Sequence, residues 1–135
     1  IADHKVMKCL THDPMLGHIT TFGGNPVCCA AALATLKVIE DEKLLASVEE
    51  KGKLFETLLR HPRIKAIRRI GLLFAIDFES AAVVARIVEE AKKLGVICYW
   101  FLSHPNSFRI APPLTITHEQ INESCSSILQ AIDNA

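Results

Sequence analysis

The stretch that most constrains this chain is Asn25-Pro26 and the run behind it. An Asn side chain can accept from the free N–H groups of a first helical turn, and Pro at the first helical position loses no donor that the helix would use. A helix is expected to start there. Its body, residues 27–39, is Ala-rich and apolar on nearly every face as far as Lys37. A helix that is apolar all round has to be packed on several sides, so this one needs neighbours.

Residues 1–24 carry His12-Asp13-Pro14, Gly17 and Gly23-Gly24 without sustained periodicity and read as irregular, apart from a short turn of helix within residues 1–10. Over residues 41–60, Leu44, Leu45, Val48, Phe55, Leu58 and Leu59 recur with Lys and Glu between them. That spacing predicts a one-sided amphipathic helix, ended by His61-Pro62. Residues 64–67 and 72–78 switch to short β-type runs broken at Ile70-Gly71, which predicts two strands or a bulged pair. Ser80 can cap a helix with the stripe Val83, Val84, Ile87, Val88, Ala91 and Leu94, closed by Gly95. Residues 96–102 and 108–111 read as strands around a turn at His104-Pro105-Asn106-Ser107. Thr117 and Gln120 then form a capping box for a last helix with Ile121, Cys125, Ile128, Leu129 and Ile132 on one side. The order is two helices, then β, β, α, β, β, α.

Composition narrows the function. Fifteen Lys plus Arg balance fifteen Asp plus Glu in 135 residues, with eight aromatics (six Phe, one Trp, one Tyr) and no run of like charge. Without a basic patch, nucleic acid is not an expected partner. The longest uncharged apolar stretch, residues 27–36, is about half of what spans a bilayer, and no charged leader precedes an apolar run, so neither membrane nor export is expected. Five cysteines, an odd number without C-x-x-C, predict reduced thiols in a cytoplasm. Six histidines show no metal-ligand spacing, and the closest pair, His12 and His18, has no Cys or carboxylate set beside it; no metal is expected. The first residue is Ile1 and the mean hydropathy is +0.25, high for a net-neutral chain. Both lead to the expectation of a piece of a larger protein whose other part covers apolar surface.

Two places could carry chemistry. Thr20-Thr21-Phe22-Gly23-Gly24-Asn25-Pro26 sets two hydroxyls and two glycines before a helix start, where close backbone approach, free N–H groups and the helix dipole suit a phosphate. The alternative is that Gly-Gly only makes the turn and Asn25 only caps. Arg109 is one cation amid apolar residues in Phe108-Arg109-Ile110-Ala111-Pro112-Pro113. Its fork suits a carboxylate, and the alternative is a solvent-facing Arg or a pair with Asp77 or Glu79. Arg68-Arg69 reads as a solvated pair, and Asp77 as an edge residue at a strand end rather than a buried partner for an Arg. Tyr99, Trp100 and Phe101 read as core or interface, and Cys28-Cys29 as small apolar packing.

The segments His18-Ile19-Thr20-Thr21-Phe22-Gly23-Gly24-Asn25-Pro26, Cys29-Ala30-Ala31-Ala32-Leu33-Ala34, Ile70-Gly71-Leu72-Leu73 and Phe108-Arg109-Ile110-Ala111-Pro112-Pro113-Leu114-Thr115-Ile116-Thr117 come in this order along the whole chain. Together they resemble the C-terminal portion of class III pyridoxal-phosphate aminotransferases, the group of ornithine, acetylornithine and 4-aminobutyrate aminotransferases with fold type I architecture. The resemblance implies an α+β (α/β layered) fold: a C-terminal small domain with a small, mostly antiparallel sheet covered by helices, preceded by a long connecting helix. Residues 1–40 would be the end of the cofactor-binding large domain and the connecting helix, and residues 41–135 the small domain. It implies pyridoxal 5'-phosphate as cofactor, a homodimer, and an amino acid or amine donor with a 2-oxo acid or aldehyde acceptor. Thr21, with Thr20 beside it, would contact the cofactor phosphate of the neighbouring subunit, and Arg109 would bind the substrate carboxylate. The family's Schiff-base lysine lies upstream of the Thr-Phe-Gly-Gly segment, before Ile1, so these residues alone would be inactive. Arg69 stands where many relatives have the glycine of R-G-x-G, which leaves the turn before Leu72 open. Aminomutases and decarboxylases share the fold, and a non-catalytic ligand-binding or assembly module is the rival from another class.

Overall fold

The computed structural model describes residues 2–13, 15, 17 and 19–135, which fall into two compact units, Ile1–Glu42 and Lys43–Ala135. His18, one half of the closest histidine pair, lies outside the described residues.

In the first unit, α1 (His4–Lys8) is capped by the Asp3 carboxylate, which accepts from Lys5 N–H at 2.8 Å. Helix α2 (Pro26–Asp41) starts where the sequence places it: Asn25 Oδ1 accepts from the N–H groups of Val27 (3.0 Å) and Cys28 (3.4 Å), and Pro26 opens the first turn. No residue of α2 is buried, and Val27, Leu33 and Leu36 are exposed. The packing on several sides that its sequence requires is thus not supplied within its own unit.

The second unit opens on Lys43, whose φ of +50° is left-handed. A 3-10 turn (Leu44–Ser47) follows, then α3 (Val48–Leu58). The single helix expected over residues 41–60 is therefore divided: the left-handed residue and the tighter turn interrupt the i→i−4 ladder, although the apolar periodicity runs on across the break. Strands β1 (Ala66–Ile70) and β2 (Leu73–Asp77) form an antiparallel hairpin that pairs Ile70 with Leu73. The first strand lies two residues later than expected and takes in Arg68 and Arg69. Gly71 has φ +57° and Leu72 does not share it, the signature of a type II′ two-residue turn, so the bulged alternative is not taken.

Helix α4 (Ala81–Lys93) is capped by Ser80, whose Oγ accepts from Val83 N–H at 3.3 Å, and ends before Gly95 at φ +82°. Strand β3 is only Tyr99–Trp100, shorter than the expected 96–102, because the Val96 N–H turns back to the Ala91 carbonyl (2.9 Å) instead of entering the sheet. Strand β4 (Ser107–Ile110) lies between β2 and β3, giving the wholly antiparallel order β1-β2-β4-β3. Helix α5 (His118–Asn134) carries the expected capping box: Thr117 Oγ1 accepts from Gln120 N–H (3.2 Å) and Gln120 Oε1 from Thr117 N–H (3.0 Å).

One face of the sheet, with Phe74, Ile76, Phe108 and Ile110, is buried together with the stripes of α3, α4 and α5, where Phe55, Val84, Ile87, Ile121, Ile128 and Ile132 are essentially solvent-free. The other face carries Arg68, Ile70, Leu73, Ala75, Asp77, Arg109 and Tyr99, all at least partly exposed. Alternation along each strand puts the polar chemistry on that second face. Among the described residues, no helix is long and apolar enough to cross a membrane.

Candidate active site

Arg109 occupies the centre of the open sheet face. Within the sheet it pairs with Ala75 of β2 on one side and Tyr99 of β3 on the other. Its Cζ lies 5.6 Å from the Tyr99 ring centroid and 5.8 Å from that of Phe101, inside the range of cation–π attraction. Among the described residues no carboxylate lies within ion-pair distance of its guanidinium. The two acids that sequence proximity suggests are engaged elsewhere: Asp77 binds Arg68, and Glu79 Oε1 lies 3.3 Å from Arg63 Nη2. A cavity of about 430 Å³ adjoins the site, lined by Tyr99, Trp100, Phe101, Leu102, Ser103 and Arg109. That volume is in the range of small-molecule sites, and Arg109 is the one charged group in its wall.

Beside Arg109 runs a fixed polar row. Arg68 donates to both oxygens of Asp77, from Nη2 at 2.7 Å and Nε at 3.2 Å, and to Ser107 Oγ at 3.1 Å; the buried Ser107 hydroxyl donates in turn to Asp77. The Arg68 guanidinium, helped by the Ser107 hydroxyl, holds the Asp77 carboxyl below its ordinary range. Asp77, the last residue of β2, thus stands at the strand end as expected and is at the same time a partly buried partner for an arginine. Arg69 is not the solvated residue expected. It is 12% exposed and gripped by Glu49, with Nη1–Oε2 2.9 Å and Nη2–Oε1 2.8 Å. Its Nε lies 2.9 Å from Glu56 Oε2, within ion-pair reach but without hydrogen-bond directionality. Lys51, buried in α3, donates from Nζ to the Leu114 carbonyl at 2.8 Å, which anchors the segment after Pro112-Pro113 to the core.

The Thr-Phe-Gly-Gly corner forms a turn in the first unit. Gly23 N–H reaches the Thr20 carbonyl (3.4 Å) and Asn25 N–H the Phe22 carbonyl (3.1 Å), with Gly24 at φ +78°. A Cβ on Gly23 would collide with the Thr20 hydroxyl, so a glycine is needed for that hydroxyl to fold over the turn. Thr20 and Thr21 are exposed. Asn25 already occupies the N–H groups of Val27 and Cys28, so the free helix-start donors expected here are partly spent. The donors left for an anion are the two threonine hydroxyls and the turn backbone, a set that fits a phosphate ester.

Cys28 and Cys29 are exposed, not packed as small apolar groups. Among the described residues, no three His, Cys, Asp or Glu side chains are placed to hold a metal. Sequence reasoning missed the two rings beside Arg109. Tyr99 and Phe101 alternate like strand neighbours, but the β3–β4 register that faces them to Arg109 is not written locally.

The sequence profile described as aminotransferase class-III matches residues 1–132. Among solved structures, the chain is similar to an ornithine aminotransferase from Toxoplasma gondii, at 35% identity and TM-score 0.72, with 94% of this chain and 31% of that one covered. It is similar to a Bacillus anthracis aminotransferase, at 31% identity and TM-score 0.75, covering 90% of this chain and 31% of that one. The adenosylmethionine-8-amino-7-oxononanoate aminotransferase of Methanocaldococcus jannaschii matches 100% of this chain over 32% of its own length, at 25% identity and TM-score 0.74. The chain spans about a third of the length of these relatives.

Proposed function

The chain belongs to the class-III aminotransferase family, and from that premise we propose that it is the small domain and connecting helix of a homodimeric, pyridoxal-phosphate-dependent transaminase. Residues 1–40 are the end of the large domain and the connecting helix; residues 41–135 are the small domain. The enzyme moves an amino group from an amino acid or amine donor to a 2-oxo acid or aldehyde acceptor. The cofactor, when bound, supplies the electron sink for that exchange. Its Schiff-base lysine is not among these residues, so their part is binding and orientation. Thr21 and Thr20 donate hydroxyl hydrogen bonds to the cofactor phosphate across the subunit boundary. Free cysteines at all five positions accord with work in a cytoplasm.

The observation that carries the reading is Arg109: a guanidinium without an acid partner among the described residues, beside a 430 Å³ cavity in which it is the only charge. A guanidinium fork captures a carboxylate through two parallel N–H···O bonds, and holding that end of the substrate orients the amine at the other. In the complete enzyme, Arg109→Ala should raise KM for carboxylate-bearing donors by about 2 to 4 kcal/mol of lost binding and leave carboxylate-free amines nearly unaffected. Equal losses for both classes would remove Arg109 from the substrate site. Thr21→Val should accelerate loss of cofactor on dialysis; unchanged retention would remove Thr21.

A further inference from the structure

We infer that Tyr99 and Phe101 are positioning residues for Arg109, holding its guanidinium by their ring faces so that its N–H edge is kept for an incoming carboxylate. The inference deepens the reading of Arg109 as the substrate fork and rests on it.

The argument begins with register. Tyr99 is the direct cross-strand partner of Arg109 in the β3–β4 pair. Beyond the end of β3, Phe101 N–H still donates to the Ser107 carbonyl at 3.3 Å, so the chain keeps its paired course for one more residue. Alternation then brings Tyr99 and Phe101 to the same face, one opposite Arg109 and one on the diagonal, both within reach of a long side chain. The distances from Cζ, 5.6 and 5.8 Å, show that both rings are used.

A partly buried guanidinium needs compensation, and a protein can give it in two ways. A carboxylate partner satisfies the charge but consumes the N–H donors and competes with an anionic ligand. Aromatic faces attract the cation through the ring quadrupole and consume no donor. This site uses the second way: Asp77 is held by Arg68 and Ser107, Glu79 by Arg63, and two rings lie beside Arg109. Among the described residues, no side-chain or backbone acceptor takes up any of the five guanidinium donors. The rings also displace water from one side of the fork, which strengthens its attraction for a carboxylate.

The test uses the complete holoenzyme with Tyr99→Leu, Phe101→Leu and the double variant, against Tyr99→Phe and Phe101→Tyr, which keep a ring. The readouts are KM and kcat with a carboxylate-bearing donor and with a carboxylate-free amine, and the inhibition constant of propionate as a non-reacting carboxylate. Each leucine change should raise KM and the propionate constant about three- to fivefold, and the pair about tenfold, with a clearly smaller change in the amine KM. The ring-keeping variants should keep the wild-type preference for the carboxylate-bearing donor. If the double variant does not fold, Tyr99→Leu, at a position about half exposed, carries the test alone. Leucine variants that behave as wild type while Arg109→Ala loses its carboxylate preference would overturn the inference and leave the Arg109 reading standing. An equal rise for both substrate classes would overturn it as a general packing effect. An Arg109→Ala enzyme with its preference intact would overturn both.

Discussion

Gly52 and Arg69 fit each other because one of them has no side chain: a Cβ on Gly52 would fall 2.6 Å from Nη1 and 2.9 Å from Cζ of Arg69, and 3.0 Å from the Gly71 carbonyl oxygen. The guanidinium cannot easily give way, since Glu49 holds it bidentately and Glu56 lies at its Nε. Glycine inside a helix ordinarily costs about 1 kcal/mol against alanine. Here the sign should invert, with Gly52→Ala lowering stability by about 1 to 3 kcal/mol through overpacking. Denaturant unfolding of Gly52→Ala, Arg69→Ala and the double variant checks this. The penalty should shrink when Arg69 is absent, and a Gly52→Ala protein more stable than the wild type would contradict the account.

Acid should weaken the sheet through Asp77. Arg68 first, and then Ser107, favour its ionised form, so its carboxyl titrates below the ordinary 3.8 in the folded chain. A carboxyl with a depressed folded value contributes stability that is present above its unfolded value and lost as pH falls through the folded one. The Asp77 contribution is therefore expected to be complete above about pH 4 and to decline below it. Glu49 and Glu79 are shifted in the same direction, by Arg69 and chiefly by its own backbone N–H respectively, and add to the slope. Asp77→Asn should unfold more easily at pH 6 but lose less further stability between pH 5 and pH 2. An unchanged acid slope in that variant would place the sensitivity elsewhere.

Two thiols should be silent. Burial pushes both Cys98 and Cys125 up to about 12, and each is 6% exposed or less. Since the thiolate is the reactive form, neither should react with a disulfide reagent at pH 8 on the timescale of exposed thiols, and both should react when the chain is unfolded. Rapid native labelling of either residue, located by peptide mass, would show that the α4–β3 corner or the inner side of α5 opens in solution.

Much of the secondary structure is legible in the sequence because its signals are local. Asn25-Pro26, Ser80, Gly95 and the Thr117–Gln120 box each satisfy or terminate backbone groups within a few residues, and each helix boundary they mark is where the structure has it. The 3-10 turn at Leu44–Ser47 escaped because the apolar spacing of Leu44, Leu45 and Val48 reads on into α3 without interruption, and the left-handed Lys43 before it has no composition signature. The early end of β3 escaped because Val96 has strand character but spends its N–H on Ala91.

The site divides along the same line. Sequence alone determined that a lone arginine sits amid apolar residues near the end of a short strand, that two hydroxyls and two glycines precede a capped helix, and, by resemblance, to which family the chain belongs. Only the tertiary structure decided who partners whom. Arg68 and Asp77 are nine residues apart, Arg69 and Glu49 twenty, Asp77 and Ser107 thirty. These pairings depend on strand register and on how α3 lies against the hairpin. By taking up Asp77, as Arg63 takes up Glu79, they leave Arg109 to the rings of Tyr99 and Phe101. Charge and shape are properties of single residues, whereas which charges remain free depends on every other pair in the fold.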